Sequence, residues 1–293
     1  MQTSLSRAVA AFALAAATVA STAAAAPGRA RHNGFFRSHC TLSHTANDDP
    51  ILMPNKPGLS MLHEFFGNAS TTAASTAASL RRDRATSCRA PADAAAYWVP
   101  TLYQDGTRIV PRAITVYYRQ ARRPNGAVQP LPVGLQMIAG NETAMEPQPT
   151  SVAYWNCGAK AGLQPSALPP ASCPAGTTLV LTLVFPDCWD GRTLAGATQR
   201  NVVYDVRGMC PAGHPVAIPQ LRLHVHYPIA TGSGLTLSMG PGVAGGVTTA
   251  HADFVNGWSQ DTLATLVRAC VDTGRKCGTV GRDNRPLGVR KVG

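Results

Sequence analysis

Eight cysteines, spread from Cys40 to Cys277, constrain this chain more than any other feature. An even number of thiols behind an export signal reads as four disulfides closed in an oxidising compartment. The simplest pairing is consecutive: Cys40 with Cys88, Cys157 with Cys173, Cys188 with Cys210, and Cys270 with Cys277. There is no C-x-x-C pair, which argues against a cysteine zinc site.

The export signal is residues 1–25. It holds one basic residue, Arg7, then an uncharged Ala-rich run, then the small residues Ala23, Ala24 and Ala25 that suit an A-x-A cleavage site. The run is too short and too rich in Ala for a membrane anchor, and no later stretch is long enough to span a bilayer. From residue 26 onward no Ser/Gly linker, charge block or repeat interrupts the chain between Cys40 and Cys277, so a single domain over residues 37–278 is the simplest organisation. Residues 26–36 and 279–293, basic and turn-rich, read as loose arms.

Beyond Cys88, short apolar and aromatic runs are broken by Gly or Pro every ten residues or so, the pattern of a mainly β, sandwich or jelly-roll-like domain. Candidate strands are Ala95 to Leu102, Ile114 to Arg119, Leu135 to Ala139, Leu179 to Phe185, Val202 to Val206, Leu221 to Tyr227 and Leu235 to Ser238. In the sixth of these, Leu221, Leu223, Val225 and Tyr227 alternate with Arg222, His224 and His226, so one face is apolar and the other carries two imidazoles. Helix is confined to short pieces: one over Gln260 to Thr273, with Ser259 as N-cap and Gly274 as its stop, and a weaker one within Asn68 to Arg82.

Lys and Arg number 26 against 15 Asp and Glu, a net charge of +11. The basic residues are scattered, as at Arg81-Arg82, Arg119 and Arg122-Arg123, and are not interleaved with aromatics, so no nucleic-acid stripe is formed. For an exported chain the fitting partner is an acidic polysaccharide or an anionic cell-surface polymer.

Chemistry concentrates in two places. Cys40 to Gly67 packs His44, Asp48, Asp49, His63, Glu64 and the pair Phe65-Phe66 between turn residues, and reads as a loop of the kind that carries sites. His251-Ala-Asp253-Phe254 and Asn256-Gly257-Trp258 follow a Gly-rich run and read either as a sugar-binding or catalytic rim or as a buried hydrogen-bonded corner. Joined, they make a candidate catalytic set of His44, Asp49, His63, His251 and Asp253, with Phe65, Trp189, Asn256 and Trp258 holding a sugar. His224 and His226 are read as the solvated face of a strand, with metal chelation as the other reading. There is no G-x-S-x-G elbow and no phosphate-cradling loop, and no cofactor is indicated. Asn68-Ala-Ser70 and Asn141-Glu-Thr143 are glycosylation acceptors on paper.

The strings SHTANDDPI (Ser43 to Ile51), LHEFFGN (Leu62 to Asn68), STAASL (Ser75 to Leu80), AAYWVPTLY (Ala95 to Tyr103), FPDCWDG (Phe185 to Gly191), CPAGHPV (Cys210 to Val216) and HADFVNGW (His251 to Trp258) resemble the landmarks of the secreted family known as domain of unknown function nineteen-ninety-six. The resemblance implies a single extracellular domain and brings no activity with it. Where that family has Ser-His-x-His ahead of its Phe-Phe-Gly, this chain has Ser60-Met61-Leu62-His63 and keeps one histidine of the two. The functional expectation is a polysaccharide-active protein, hydrolase or lyase. Two alternatives stand beside it: a non-catalytic polysaccharide-binding module, and a His/Asp metal site without catalysis.

Overall fold

The structure, a computed structural model, describes residues 34–120, 127–158, 164–195 and 200–288. The expected export signal and most of the expected N-terminal arm, with Arg122, Arg123 and the last residues of the chain, lie outside the described residues.

The N-terminal half contributes β1 (Phe35–Cys40), β2 (Leu42–Ala46), β3 (His63–Gly67), helix α1 (Ala77–Arg82), β4 (Ala96–Pro100), β5 (Leu102–Gln104), β6 (Thr107–Ile109), β7 (Ala113–Arg119) and β8 (Gln136–Gly140). The C-terminal half contributes β9 (Ala153–Asn156), β10 (Val180–Val184), β11 (Cys188–Trp189), β12 (Val202–Val203), β13 (Val216–Ala217), β14 (Gln220–His226), β15 (Leu235–Gly240), β16 (Val243–Gly245), β17 (His251–Val255), helix α2 (Gln260–Leu266) and β18 (Lys276–Thr279).

Two sheets dominate. A six-stranded sheet runs β18-β1-β7-β14-β10-β9, antiparallel except where β18 lies parallel to β1. A five-stranded antiparallel sheet runs β2-β3-β4-β17-β8. In β1, β7 and β14, alternate residues such as Phe36, Ile114, Val116, Tyr118, Leu221, Leu223 and Val225 are buried, because only one face of these strands meets the core. They share that core with Phe66, Tyr97, Val99, Ala252 and Phe254 from the five-stranded sheet. The Tyr97 and Tyr118 hydroxyls bond across the sandwich, and the Trp258 indole N–H donates to Tyr118 at 2.9 Å. The domain is mainly β and sandwich-like, as expected.

All four disulfides close in the consecutive pairing. Cys40–Cys88 ties the end of β1 to the approach to β4, and Cys270–Cys277 ties the last helical turn to β18.

The five-stranded sheet is covered on both sides. Its outer face packs Phe65, Ala96, Trp98 and Val255 against Leu80 of α1, with Ala46 and Ile51 alongside, as a second, smaller core. That is why β3, β4 and β17 are buried at every residue; β4 was still found from its aromatic, β-branched run, whereas β3 and β17 were not. β3 was therefore expected as loop, and only residues 47–62 of the Cys40 to Gly67 stretch are loop between strands.

The arms are also shorter than expected. Phe35 and Phe36 belong to β1, and Phe36 is wholly buried; Thr279 ends β18, with Val280 buried beyond it. The C-terminal helix begins where expected, although the Ser259 side chain makes no capping bond, and it passes through a π turn at Val267–Val271 before stopping at Gly274 with φ 72°. Around α1 the cap is Thr76, whose hydroxyl accepts from the Ser79 N–H while Ser79 returns the bond to Thr76.

Candidate functional site

The predicted residues converge only in part. His63 on β3 and His251 and Asp253 on β17 point to the same, outer face of the five-stranded sheet, with β4 between them. The His63 and His251 rings meet edge to face at 5.9 Å. Ligand atoms of His63, His251 and Asp253 all lie within 4.8 Å of one another, and each residue is fully buried. Gly140, at the end of β8, lets β17 approach closely here: at its φ of 88° a Cβ would stand 2.3 Å from the Ala250 carbonyl oxygen.

Each imidazole is fixed by the backbone. Nδ1 of His63 lies 3.0 Å from the Asp48 carbonyl, and Nδ1 of His251 lies 2.8 Å from that of Thr249. A carbonyl only accepts, so both Nδ1 atoms carry the proton and both Nε2 atoms present a lone pair. Neither Nε2 has a hydrogen-bond partner, nor does either oxygen of Asp253, the Oδ2 of Asp49 or the indole nitrogen of Trp98. Burial holds the His63 pKa down to about 3, helped by the neighbouring His251, and lowers that of His251. Burial, then the charges of Asp49 and Glu142, lift the Asp253 carboxyl well above the usual carboxylate range. His251 Nε2 and Asp253 Oδ2 lie 3.7 Å apart, and burial disfavours the charged form of each.

Asp49 sits at the rim of this cluster. Its Oδ1 accepts from the Ile51 and Leu52 N–H groups at 2.8 Å, shaping the loop, and its pKa is raised by burial against those bonds. The Trp98 indole faces the same carboxyl and lowers its pKa without closing to a hydrogen bond. Asp48 is spent on the loop, accepting from Gly58 and Ala73. Glu64 points to the inner face and is neutralised by Arg108 at 2.7 Å.

The remaining expected residues do other work. His44 stacks on Phe65 at 4.7 Å, with its nitrogens engaged by Ser43 and the Thr71 carbonyl, so it is not part of the catalytic set. Trp258 and Phe65, expected to hold a sugar, are buried to 1% exposure or less, and Asn256 is buried with its amide donating to the Leu131 and Pro132 carbonyls. None of the three reaches a polymer, because the rim they were expected to form is an interior corner. Trp189 is half-buried, on the small β12-β11-β13 sheet, and its indole donates to the Thr193 carbonyl. Asn68 is no glycan acceptor in the folded chain: it is buried and its amide donates to the Asp83 carbonyl.

The second concentration of chemistry lies on the outer face of the six-stranded sheet. Register places Arg37, Tyr117 and Arg222 in one cross-strand row, and His39, Thr115 and His224 in the next, with His226 following on β14. Phe35 and Tyr117 pack at 5.4 Å, Arg37 lies over the Tyr117 ring, and Tyr117 meets His224 at 4.9 Å. A groove of ≈ 200 Å³ opens between Arg37, Thr115, Tyr117, Asn156, His224 and His226. The His224 pKa is held down to about 3 by burial and then by its cationic neighbours, and His39 and His226 are lowered in the same sense. The sequence reading had the His224 and His226 face right, but not its partners. Arg37 and Tyr117 come from strands far apart in the chain, and Arg37 falls within a stretch with no strand signal.

Residues 49–258 match the model of the family described as Domain of unknown function (DUF1996). The matched span takes in His63, His251 and Asp253 and leaves Arg37, His39 and β18 outside it. No curated protein and no solved structure matches the chain.

Proposed function

The chain belongs to the DUF1996 family, whose description carries no activity, and on that premise we propose that it is a secreted protein that binds acidic polysaccharide on the outer face of its six-stranded sheet. One observation carries the reading. The six strands present Arg37, Arg119, Arg222, Lys276, His39, His224 and His226 and contain no Asp or Glu. An aromatic ring, Tyr117, sits at the centre of that basic field, in position to pack against a sugar while the guanidiniums meet its carboxylates or sulfates. The groove is small beside the ~300–1,000 Å³ of sites that enclose a ligand, which suits one unit of a polymer running on across the sheet.

Export fits the four disulfides, and among the described residues no helix is long and apolar enough to cross a membrane. The catalytic reading draws no support from His63, His251 and Asp253, which are fully buried and offer a polymer no atom to touch.

The test is retention of the oxidised mature protein on immobilised acidic and neutral polysaccharides across a salt gradient. Retention on the acidic polymers alone, released by salt and weakened in Arg37→Ser and Tyr117→Ala, is the expected result. Equal retention on neutral polymer, or new reducing ends or unsaturated uronate appearing with time, would overturn it.

A further inference from the structure

We propose that His63, His251 and Asp253 are the ligands of a divalent transition-metal ion, and that this site is structural. It is independent of the polysaccharide face. The argument starts from what the cluster lacks: two imidazole Nε2 atoms and both oxygens of a carboxyl group face one another inside the protein, and none has a hydrogen-bond partner. Buried acceptors left so are costly, and a cation is the group that satisfies all of them together. Both Nδ1–H groups are anchored on backbone carbonyls, the outer-shell arrangement that orients histidine ligands.

Two imidazoles with carboxylate oxygen suit zinc, iron or manganese, and exclude a preference for calcium or magnesium, which take oxygen alone. With bonds of about 2.0–2.1 Å, neighbouring ligand atoms stand roughly 3–3.5 Å apart, so donors within 4.8 Å of one another close on an ion by shifts of about an ångström. Among the described residues, one other trio has ligand atoms this close, Cys40, Cys88 and Asp93, and its sulfurs are spent on a disulfide. Full burial leaves no open position for substrate. The ion would instead stitch β3 to β17 across β4 and so brace the outer face of the five-stranded sheet.

The experiment uses the full oxidised mature protein, stripped by chelator dialysis and titrated with Zn²⁺, Co²⁺, Mn²⁺ and Ca²⁺. The expected result is one equivalent of Zn²⁺ or Co²⁺ bound, a melting temperature raised by roughly several degrees, visible Co²⁺ absorption bands of N/O coordination, and no response to Ca²⁺. Asp253→Asn keeps the shape while removing a buried acid. It is expected to melt no lower than the stripped wild-type protein and to lose at least about a hundredfold in affinity, whereas His44→Gln, which touches Phe65 and not the cluster, binds as wild type does. Wild-type protein that takes up no transition ion at millimolar concentration would overturn the proposal and leave the cluster to buried water. Asp253→Asn or His63→Gln binding as tightly as wild type would overturn its location.

Discussion

The six strands of the larger sheet contain Arg37, Arg119, Arg222 and Lys276 and no carboxylate, whereas the five strands of the other contain Glu64 and Asp253 and no lysine or arginine. Both carry three histidines: His39, His224 and His226 on the first, His44, His63 and His251 on the second. The same residue type therefore sits in opposite company. On the six-stranded sheet the imidazoles are half-buried among cations and face outward, where an anion would relieve the crowding of positive charge. On the five-stranded sheet His63 and His251 are sealed among carboxyls under the loop and α1, where the missing partner is a cation. Burial lowers the pKa of His63 and of His224 alike to about 3, so the shift by itself does not distinguish the roles; the sign of the surrounding charge does.

The contrast can be broken hardest through the second core. Phe65→Ala removes a ring that packs on Trp98, His44 and His63 and is expected to cost about 3–5 kcal/mol in denaturant unfolding. A loss under 1 kcal/mol would mean the outer face of that sheet is not a core.

Acid tests the sealed histidines next. The folded-state pKa of His63 lies below its ordinary 6.5, so its contribution is present above that pH and is lost as pH falls toward 3. Chelated wild type should lose about 2 kcal/mol relative to His63→Gln between pH 6.5 and pH 5, an amount that follows from about 1.4 kcal/mol per pH unit. Comparing the two proteins at each pH is essential, because Asp93 acts in the opposite sense. Burial lifts its pKa from 3.8 to about 7, so its contribution is full below pH 3.8 and disappears as pH rises through 7. Parallel pH profiles for wild type and His63→Gln would show His63 to be solvated.

On the open face the effects belong to binding. Arg37→Ser combined with Arg222→Ser is expected to weaken acidic-polymer affinity about tenfold, or about 1.4 kcal/mol, with thermal stability unchanged. Retention of the wild-type protein should strengthen from pH 8 to pH 5, since a bound anion raises the pKa values of His39, His224 and His226 from their lowered positions. Retention that weakens on acidification would detach these imidazoles from the binding face. The smallest effect expected is Tyr117→Ala on stability, within about 0.5 kcal/mol as for a surface position. A larger loss would make the face part of the core and erase the contrast.

Where a strand meets the core on one side, its pattern is visible in the sequence: Leu221, Leu223 and Val225 alternate with Arg222, His224 and His226, and the structure keeps that division. β3 and β17 are buried on both faces like β4, but they carry His, Glu and Asp where β4 has an aromatic, β-branched run, and they were not read as strands. The candidate site followed the same rule. His63, His251 and Asp253 were noticed because histidines and acids crowd two short, turn-flanked stretches, but Trp258, Phe65 and Asn256 were placed at a surface because composition is silent on which side of a strand another element will lie.

The sequence by itself determined the mainly β class, since that follows from local spacing, turn residues at short intervals; the consecutive disulfides were one of the 105 pairings eight cysteines allow, and the structure selected it. Only the tertiary structure decided which histidines meet acids and which meet arginines. His63 and His251 are far apart in the chain and are joined across β4, and Arg37 reaches Arg222 across β7. Strand order and register set those neighbours, and they are settled by how two sheets and a covering loop bury their apolar faces together, which no local window of residues contains.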